Sequence, residues 1–212
     1  MRLDQKQRNK MIFDKVITQA HAYRGMPGLC RIEDFLDSKT ADSYLTFAIQ
    51  NEFYFTDLKQ GYEGSHRSAK MLRYKDSMDS EIFIEIGRKI AKKARDIGYS
   101  DIEFMEIQLI ASGNGDYFQR HRDFSHDLSK QRNLTYVYYL IKNSSKWEGG
   151  DLKFDNITVK PVHNQLIFFN PATFHEITKL ECGSTWEESR FTFIGWFNRV
   201  KDNNNFKIGE DK

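Results

Sequence analysis

His121, Arg122 and Asp123 form a short H-x-D run just past the turn SGNGDYFQ. In an extended segment, residues two apart point to the same side, so His121 and Asp123 offer an imidazole and a carboxylate to one point in space. A third ligand must come from elsewhere in the fold. His175 suits that part, because it follows Asn170-Pro171-Ala172-Thr173 and opens the strand-like run FHEITK. Two histidines and one carboxylate on one face hold a divalent metal and leave three positions open. That is the arrangement of non-haem iron(II) sites that take a bidentate co-substrate and O2. Taken alone the signal is weak: an H-x-D run arises by chance, and a lone strand histidine is usually a hydrogen-bonded core residue.

Arg190 strengthens it. This residue begins the apolar run RFTFIGWF, in which Arg190, Thr192, Ile194 and Trp196 share a face. A charge on the inner face of a strand is costly unless an anion pairs with it. A dicarboxylic co-substrate supplies such an anion, and a guanidinium matches a carboxylate through two parallel hydrogen bonds. Tyr139, in NLTYVYYLIK, can donate to the same carboxylate.

The elements that must position these groups divide the chain in two. Helical periodicity occupies residues 5–23, 39–50 behind Ser38 as an N-cap, and 79–97, with Gly98 as the residue after the last turn. Between the last two lies a polar stretch, 54–78, expected as a long loop or irregular hairpin and a candidate lid or substrate clamp, with a solvated surface loop as the bland reading. From Phe104 the pattern changes to seven short strand-like runs: 105–111, 133–142, 150–154, 157–160, 165–170, 174–179 and 190–197. So many short strands predict a sandwich or barrel, with the jelly roll foremost. The predicted fold class is α+β, helices packed on a β core in a single domain over residues 1–201. The polar tail 202–212 is expected to fray.

Composition narrows the function classes. Lys and Arg total 32 against 30 for Asp and Glu, a formal net charge of +2. A dedicated nucleic-acid binder shows a clear basic excess, so no nucleic-acid partner is expected. The two cysteines, Cys30 and Cys182, make neither a disulfide framework nor a C-x-x-C site. The N-terminus lacks the apolar core of a secretory signal, and no apolar run reaches membrane-spanning length. The expectation is a reduced, cytoplasmic protein with no membrane partner.

Several motifs in order then resemble a known family. Ser112 to Asp123 reads S-G-N-G-x-x-x-x-R-H-x-D; Arg132, Thr135, Tyr138, Tyr139 and Leu140 read R-x-x-T-x-x-Y-Y-L; Gly149, Gly150 and Leu152 form a G-G-x-L turn. Phe168-Phe169, His175-Glu176-Ile177 and the strand from Arg190 to Phe197 follow. The chain is similar to the prolyl-hydroxylase-like 2-oxoglutarate/Fe(II)-dependent dioxygenases, whose core is a double-stranded β-helix, a form of jelly roll. The resemblance covers residues ~103–199 well and 29–53 more weakly.

The resemblance implies a set of roles. His121, Asp123 and His175 would be the iron ligands. Arg190, with Tyr139 and Thr135, would bind the distal carboxylate of 2-oxoglutarate, with Thr192 and Gln108 among the co-substrate contacts. The hypoxia-sensing members carry a tyrosine at the position of Ala111, so that co-substrate contact is either missing here or supplied by Gln108. Trp196 would line the site and Arg132 would sit near the substrate entrance. The cofactors implied are Fe(II), 2-oxoglutarate and O2, with ascorbate sustaining activity. Because related halogenases replace the carboxylate of Asp123 by a small residue, its presence implies hydroxylation. The substrate implied is proline, as a residue in a protein or peptide or as a free amino acid, for which Arg67 and Arg73 are candidate carboxylate partners. Two rival readings are a nucleic-acid demethylase, whose R-x-N-x-T-x-R run is absent here, and a non-catalytic jelly-roll binding module, which has no use for an inward arginine opposite an H-x-D…H set. Oligomeric state is not legible.

Overall fold

The structure, a computed structural model, describes residues 11–14, 28–60, 66–77, 80–99, 102–123, 132–143, 147–198 and 206–208. In chain order the elements are β1 (Met11–Asp14), β2 (Leu29–Ile32), α1 (Ser38–Gln50), β3 (Thr56–Gln60), β4 (Arg67–Arg73) and α2 (Ser80–Asp96). Then come β5 (Phe104–Ser112), β6 (Tyr117–His121), β7 (Arg132–Leu140), β8 (Glu148–Gly149), β9 (Leu152–Phe154) and β10 (Thr158–Val159). The last are β11 (Gln165–Phe169), β12 (His175–Ile177), β13 (Leu180–Glu181), β14 (Arg190–Asn198) and β15 (Phe206–Lys207).

The strands pair in the order β1-β2-β11-β7-β14-β5-β4-β6-β12-β9-β10. Strand β4 turns the corner: Lys70 to Arg73 pair with β5, whereas Arg67 and Ser68 pair with β6. The sheet thereby curls over itself into the antiparallel half-barrel of a jelly roll, the double-stranded β-helix expected.

Alternation along the central strands sorts two layers. Tyr136 and Tyr138 of β7 and Phe191 and Phe193 of β14 face outward, in one cluster with Tyr44, Leu45 and Ala48 of α1 and Phe83, Ile86 and Ile90 of α2. Val137 and Tyr139 face inward with Ile167, Phe169, Leu152 and Phe154. Each such side chain contributes about 1.5–3 kcal/mol by leaving water. The inward layer is where the charged and polar residues of β14 must also lie.

Gly195 shows how tight the central pairing is. A Cβ there would fall 1.8 Å from the Glu106 carbonyl oxygen and 2.4 Å from the Tyr136 hydroxyl, a hydroxyl that donates to that same carbonyl at 2.8 Å. Gly195→Ala must displace backbone, and overpacking of this kind costs about 2–3 kcal/mol. The expected drop in Tm is roughly 5–10 °C by calorimetry; an unchanged Tm would contradict this packing.

Three expectations change. Residues 11–14 form a strand paired with β2, not part of a helix over 5–23, the rest of which lies outside the described residues. A four-residue apolar run such as MIFD carries no period of its own, and an open sheet edge decides its form. The described residues of the stretch 54–78 form a hairpin, one of the two forms expected, with Thr56 opposite Met71 and Gln60 opposite Arg67. Asp37, not Ser38, caps α1, its carboxylate accepting from the Thr40 N–H at 3.0 Å. The tail contributes β15, which pairs with β5, and a buried Ile208. Gly98 follows α2 with φ +104, as expected.

Candidate active site

The two histidines are cross-strand partners, His121 at the end of β6 and His175 at the start of β12. Their rings lie 4.2 Å apart between centroids. Past His121 the chain leaves the strand, and the Asp123 N–H donates to the Pro171 carbonyl at 2.9 Å. That bond turns the carboxylate toward the pair: Oδ1 lies 3.6 Å from His121 Nε2 and Oδ2 3.8 Å from His175 Nε2. One ligand atom from each residue lies within 4.8 Å of the other two.

Each ring is fixed from behind. His121 Nδ1 lies 2.8 Å from the Gln119 carbonyl, and His175 Nδ1 lies 3.0 Å from the Thr173 carbonyl. A carbonyl only accepts, so each Nδ1 carries the proton and each Nε2 keeps its lone pair for a metal. Phe118 stacks on His121 at 3.6 Å, and Phe169 meets His175 edge-on at 4.8 Å. Burial works against the charge of Asp123, but positive charge on His175 and His121 more than offsets it and holds the carboxyl well below the usual range; with neutral imidazoles a bound cation takes over that part. Burial also holds His175 below its ordinary value, against the pull of Asp123. The set is one anion and two neutral imidazoles, which suits a divalent transition metal.

The triad opens into a cavity walled by β4, β5, β7 and β14. Arg190, 4% exposed, lines it from β14. Its Nη1 donates to the Gly150 carbonyl and its Nη2 to the Ser112 hydroxyl at 3.2 Å. The Gly149-Gly150 turn makes this possible: both glycines have positive φ, +69 and +68. A Cβ on Gly150 would also stand 2.9 Å from Leu180 Cδ1 and 3.4 Å from Arg190 Nη1. Arg190 Nε, the Tyr139 hydroxyl and the Thr192 hydroxyl are buried in the same wall with no hydrogen-bond partner among the described residues. Unsatisfied buried donors are costly, so their convergence around a buried guanidinium marks a place made for an anionic oxygen ligand. The triad and these donors open onto one cavity, so the donor set is that of a site for a dicarboxylate reaching from one to the other.

Of the sequence-predicted residues, His121, Asp123, His175, Arg190, Tyr139, Thr192, Gln108, Trp196 and Arg67 line this cavity. Three do not. Thr135 is buried beneath the triad, its hydroxyl donating to Asp123 Oδ2 at 2.9 Å rather than facing Arg190. Arg132 backs the site instead of standing at its mouth. Its Nη1 donates to the Asp123 carbonyl and its Nη2 to Glu106, both at 3.1 Å, while the guanidinium covers Trp196 at 3.4 Å. Arg73 is exposed and lines a separate depression with Tyr74 and Glu106. Glu176 points away from the triad, as the alternation implies, and pairs with Lys153 at 2.8 Å. Within the candidate lid stretch 54–78, residues 61–65 and 78 lie outside the described residues. Sequence reasoning gave no role to Ser112, Phe118 or the Gly150 carbonyl, although Ser112 and the G-G pair both stand in the quoted motifs.

Comparison with known proteins agrees with this geometry. Residues 107–198 match the model of the 2OG-Fe(II) oxygenase superfamily. An uncharacterized PKHD-type hydroxylase of Synechocystis is 27% identical over 195 residues, covering 79% of this chain. This chain spans 62% of that relative's length. A Pseudomonas putida prolyl-4-hydroxylase superposes with a TM-score of 0.65 at 17% identity, covering 82% of this chain and 94% of its own. A viral collagen prolyl hydroxylase from Paramecium bursaria Chlorella virus-1, solved with 2-oxoglutarate, gives 0.59 at 21% identity, covering 82% and 97%. The motif match, the curled sheet and the two-histidine, one-carboxylate site all fall on the same strands, so the β core of this chain is similar to the 2OG-Fe(II) oxygenase superfamily over residues 107–198.

Proposed function

We propose that this chain hydroxylates an unactivated C–H bond of a prolyl residue in a protein or peptide. His121, Asp123 and His175 would hold Fe(II), and Arg190, with Tyr139 and Thr192, would hold the far carboxylate of 2-oxoglutarate. Together these supply O2-dependent oxidation in which 2-oxoglutarate becomes succinate and CO2 and the substrate gains a hydroxyl. The chain contributes geometry. Thr135 and Arg132 hold Asp123 from behind, on side chain and main chain respectively. Ile110, Val137, Leu152 and Phe169 keep the cavity wall apolar, which excludes water from the reacting atoms.

The observation that carries the oxygenase assignment is that one cavity holds both the triad and the unsatisfied donors around Arg190. The prolyl part rests on the neighbours, two of which are named as prolyl hydroxylases. A near-neutral charge supports a protein or peptide substrate over nucleic acid. The test is succinate formation from 2-oxoglutarate with Fe(II) and ascorbate, with proline-containing peptides and free amino acids in parallel. Peptide-stimulated turnover giving a product one oxygen atom heavier is expected. No turnover of any kind by iron-loaded protein would sink the oxygenase reading; turnover stimulated by free amino acids alone would sink the peptidyl one.

A further inference from the structure

One cation in the cavity has no task in the chemistry above. Arg67 begins β4 opposite Phe118 of β6, and its guanidinium lies 4.4 Å from the centre of the Phe118 ring. The other side of the site is close, since that ring stacks on His121. Arg67 is therefore one aromatic layer from a metal ligand, on the wall of the reaction cavity. Burial lowers its pKa to about 10, the nearby Asp123 opposes that, and Arg190 adds to it. Among the described residues no carboxylate pairs with Arg67, and Asp123, turned toward the two histidines, is the one acid lining the cavity.

Charge balance shows what is missing. With iron(II), Asp123, Arg190 and a dianionic co-substrate in place, the charges of the cavity cancel, and Arg67 is left as an uncompensated cation. A half-desolvated guanidinium is stabilised by a carboxylate that it can grip through two hydrogen bonds. Ala69, Ile110 and Ile177 line the same cavity and offer an apolar seat for a small hydrocarbon portion next to that carboxylate.

We propose that Arg67 is a specificity residue that receives a carboxylate of the substrate, so that the hydroxylated carbon lies within a few bonds of a negative charge. This rests on the oxygenase reading and narrows its substrate class. The carboxylate has two sources, the α-carboxylate of a free amino acid or an acidic side chain next to a prolyl residue.

The test uses full-length protein loaded with Zn(II) and 2-oxoglutarate, in which binding is read without turnover. Titration calorimetry compares L-proline with L-prolinamide, and acetyl-Asp-Pro-amide with acetyl-Asn-Pro-amide. In one pair, the carboxylate probe is expected to bind at least about tenfold tighter than its uncharged partner, the worth of one charge-assisted pair. Which pair shows the preference identifies the source. Arg67→Met is expected to remove the preference while leaving 2-oxoglutarate affinity within about threefold, and Arg67→Lys to restore part of it. No carboxylate preference in either pair overturns the inference. So does an Arg67→Met variant whose main loss is 2-oxoglutarate affinity, which would assign Arg67 to the co-substrate. Failure of wild-type protein to bind 2-oxoglutarate at all would instead bring down the oxygenase reading on which the inference stands.

Discussion

Asp123→Ala is expected to abolish iron retention and 2-oxoglutarate turnover while leaving the fold intact. The carboxylate is 8% exposed and is the anionic member of the triad. It meets both Nε2 atoms and accepts from Thr135; burial opposes its ionisation, and positive charge on the two histidines, or on a bound cation in their place, holds its pKa down. Without it, two neutral imidazoles face the metal alone. Loss of a partner that merely supports a ligand costs about 10–100-fold in metal affinity or activity, and loss of the ligand itself must exceed that. Metal analysis of purified protein and succinate assays check the two halves separately. Asp123→Asn keeps the shape and removes the charge, so equal damage in both variants would assign the effect to charge. Retained iron with retained turnover in Asp123→Ala would refute the triad as the metal site.

The ligands were legible because their chemistry and spacing coincide: H-x-D on an extended segment and a histidine opening another strand leave few arrangements. Arg190 was legible by contrast, a cation among inward apolar neighbours. The supporting residues were not, and strand geometry explains why. Thr135 and Tyr139 share the inner face of β7, which invited one role for both. Four residues along a strand span about 13 Å, however. Register puts Thr135 opposite Trp196 and Tyr139 opposite Thr192, so Thr135 belongs to the metal end and Tyr139 to the Arg190 end. Arg67 and Arg73 fail as a pair for the same reason: six residues of β4 separate them by about 20 Å, with Arg73 opposite Gln108 and Arg67 opposite Phe118. Strand β6 escaped notice because YFQRH has no alternation; pairing with β4 and β12 makes it a strand. The polar composition of the tail predicts fraying, yet Phe206 pairs with Met105 of β5 and Ile208 is buried.

Arg190→Met is expected to raise the KM for 2-oxoglutarate by roughly a hundredfold, the effect of losing about 3 kcal/mol from a buried charge-assisted pair. Iron binding should stay near wild type, since Arg190 touches neither imidazole nor Asp123. Methionine keeps the apolar stem of the side chain, so the loss falls on the guanidinium. The Gly150 carbonyl and Ser112 hydroxyl then lose their donors, and a moderate fall in Tm should accompany the kinetic defect. Arg190→Lys separates the two effects. A single ammonium restores charge but cannot reach the Gly150 carbonyl, Ser112 and a carboxylate together, so KM should recover only in part. A defect confined to kcat, with KM unchanged in both variants, would place the far carboxylate elsewhere. Tyr139→Phe then discriminates further: its hydroxyl is buried and unsatisfied in the protein alone, so its removal should weaken 2-oxoglutarate binding without lowering stability. Structural residues show the opposite pattern, in which the hydroxyl already has a partner and its loss lowers Tm first. The balance between KM and Tm across these three variants therefore distinguishes a carboxylate cradle from a polar patch that serves only the fold.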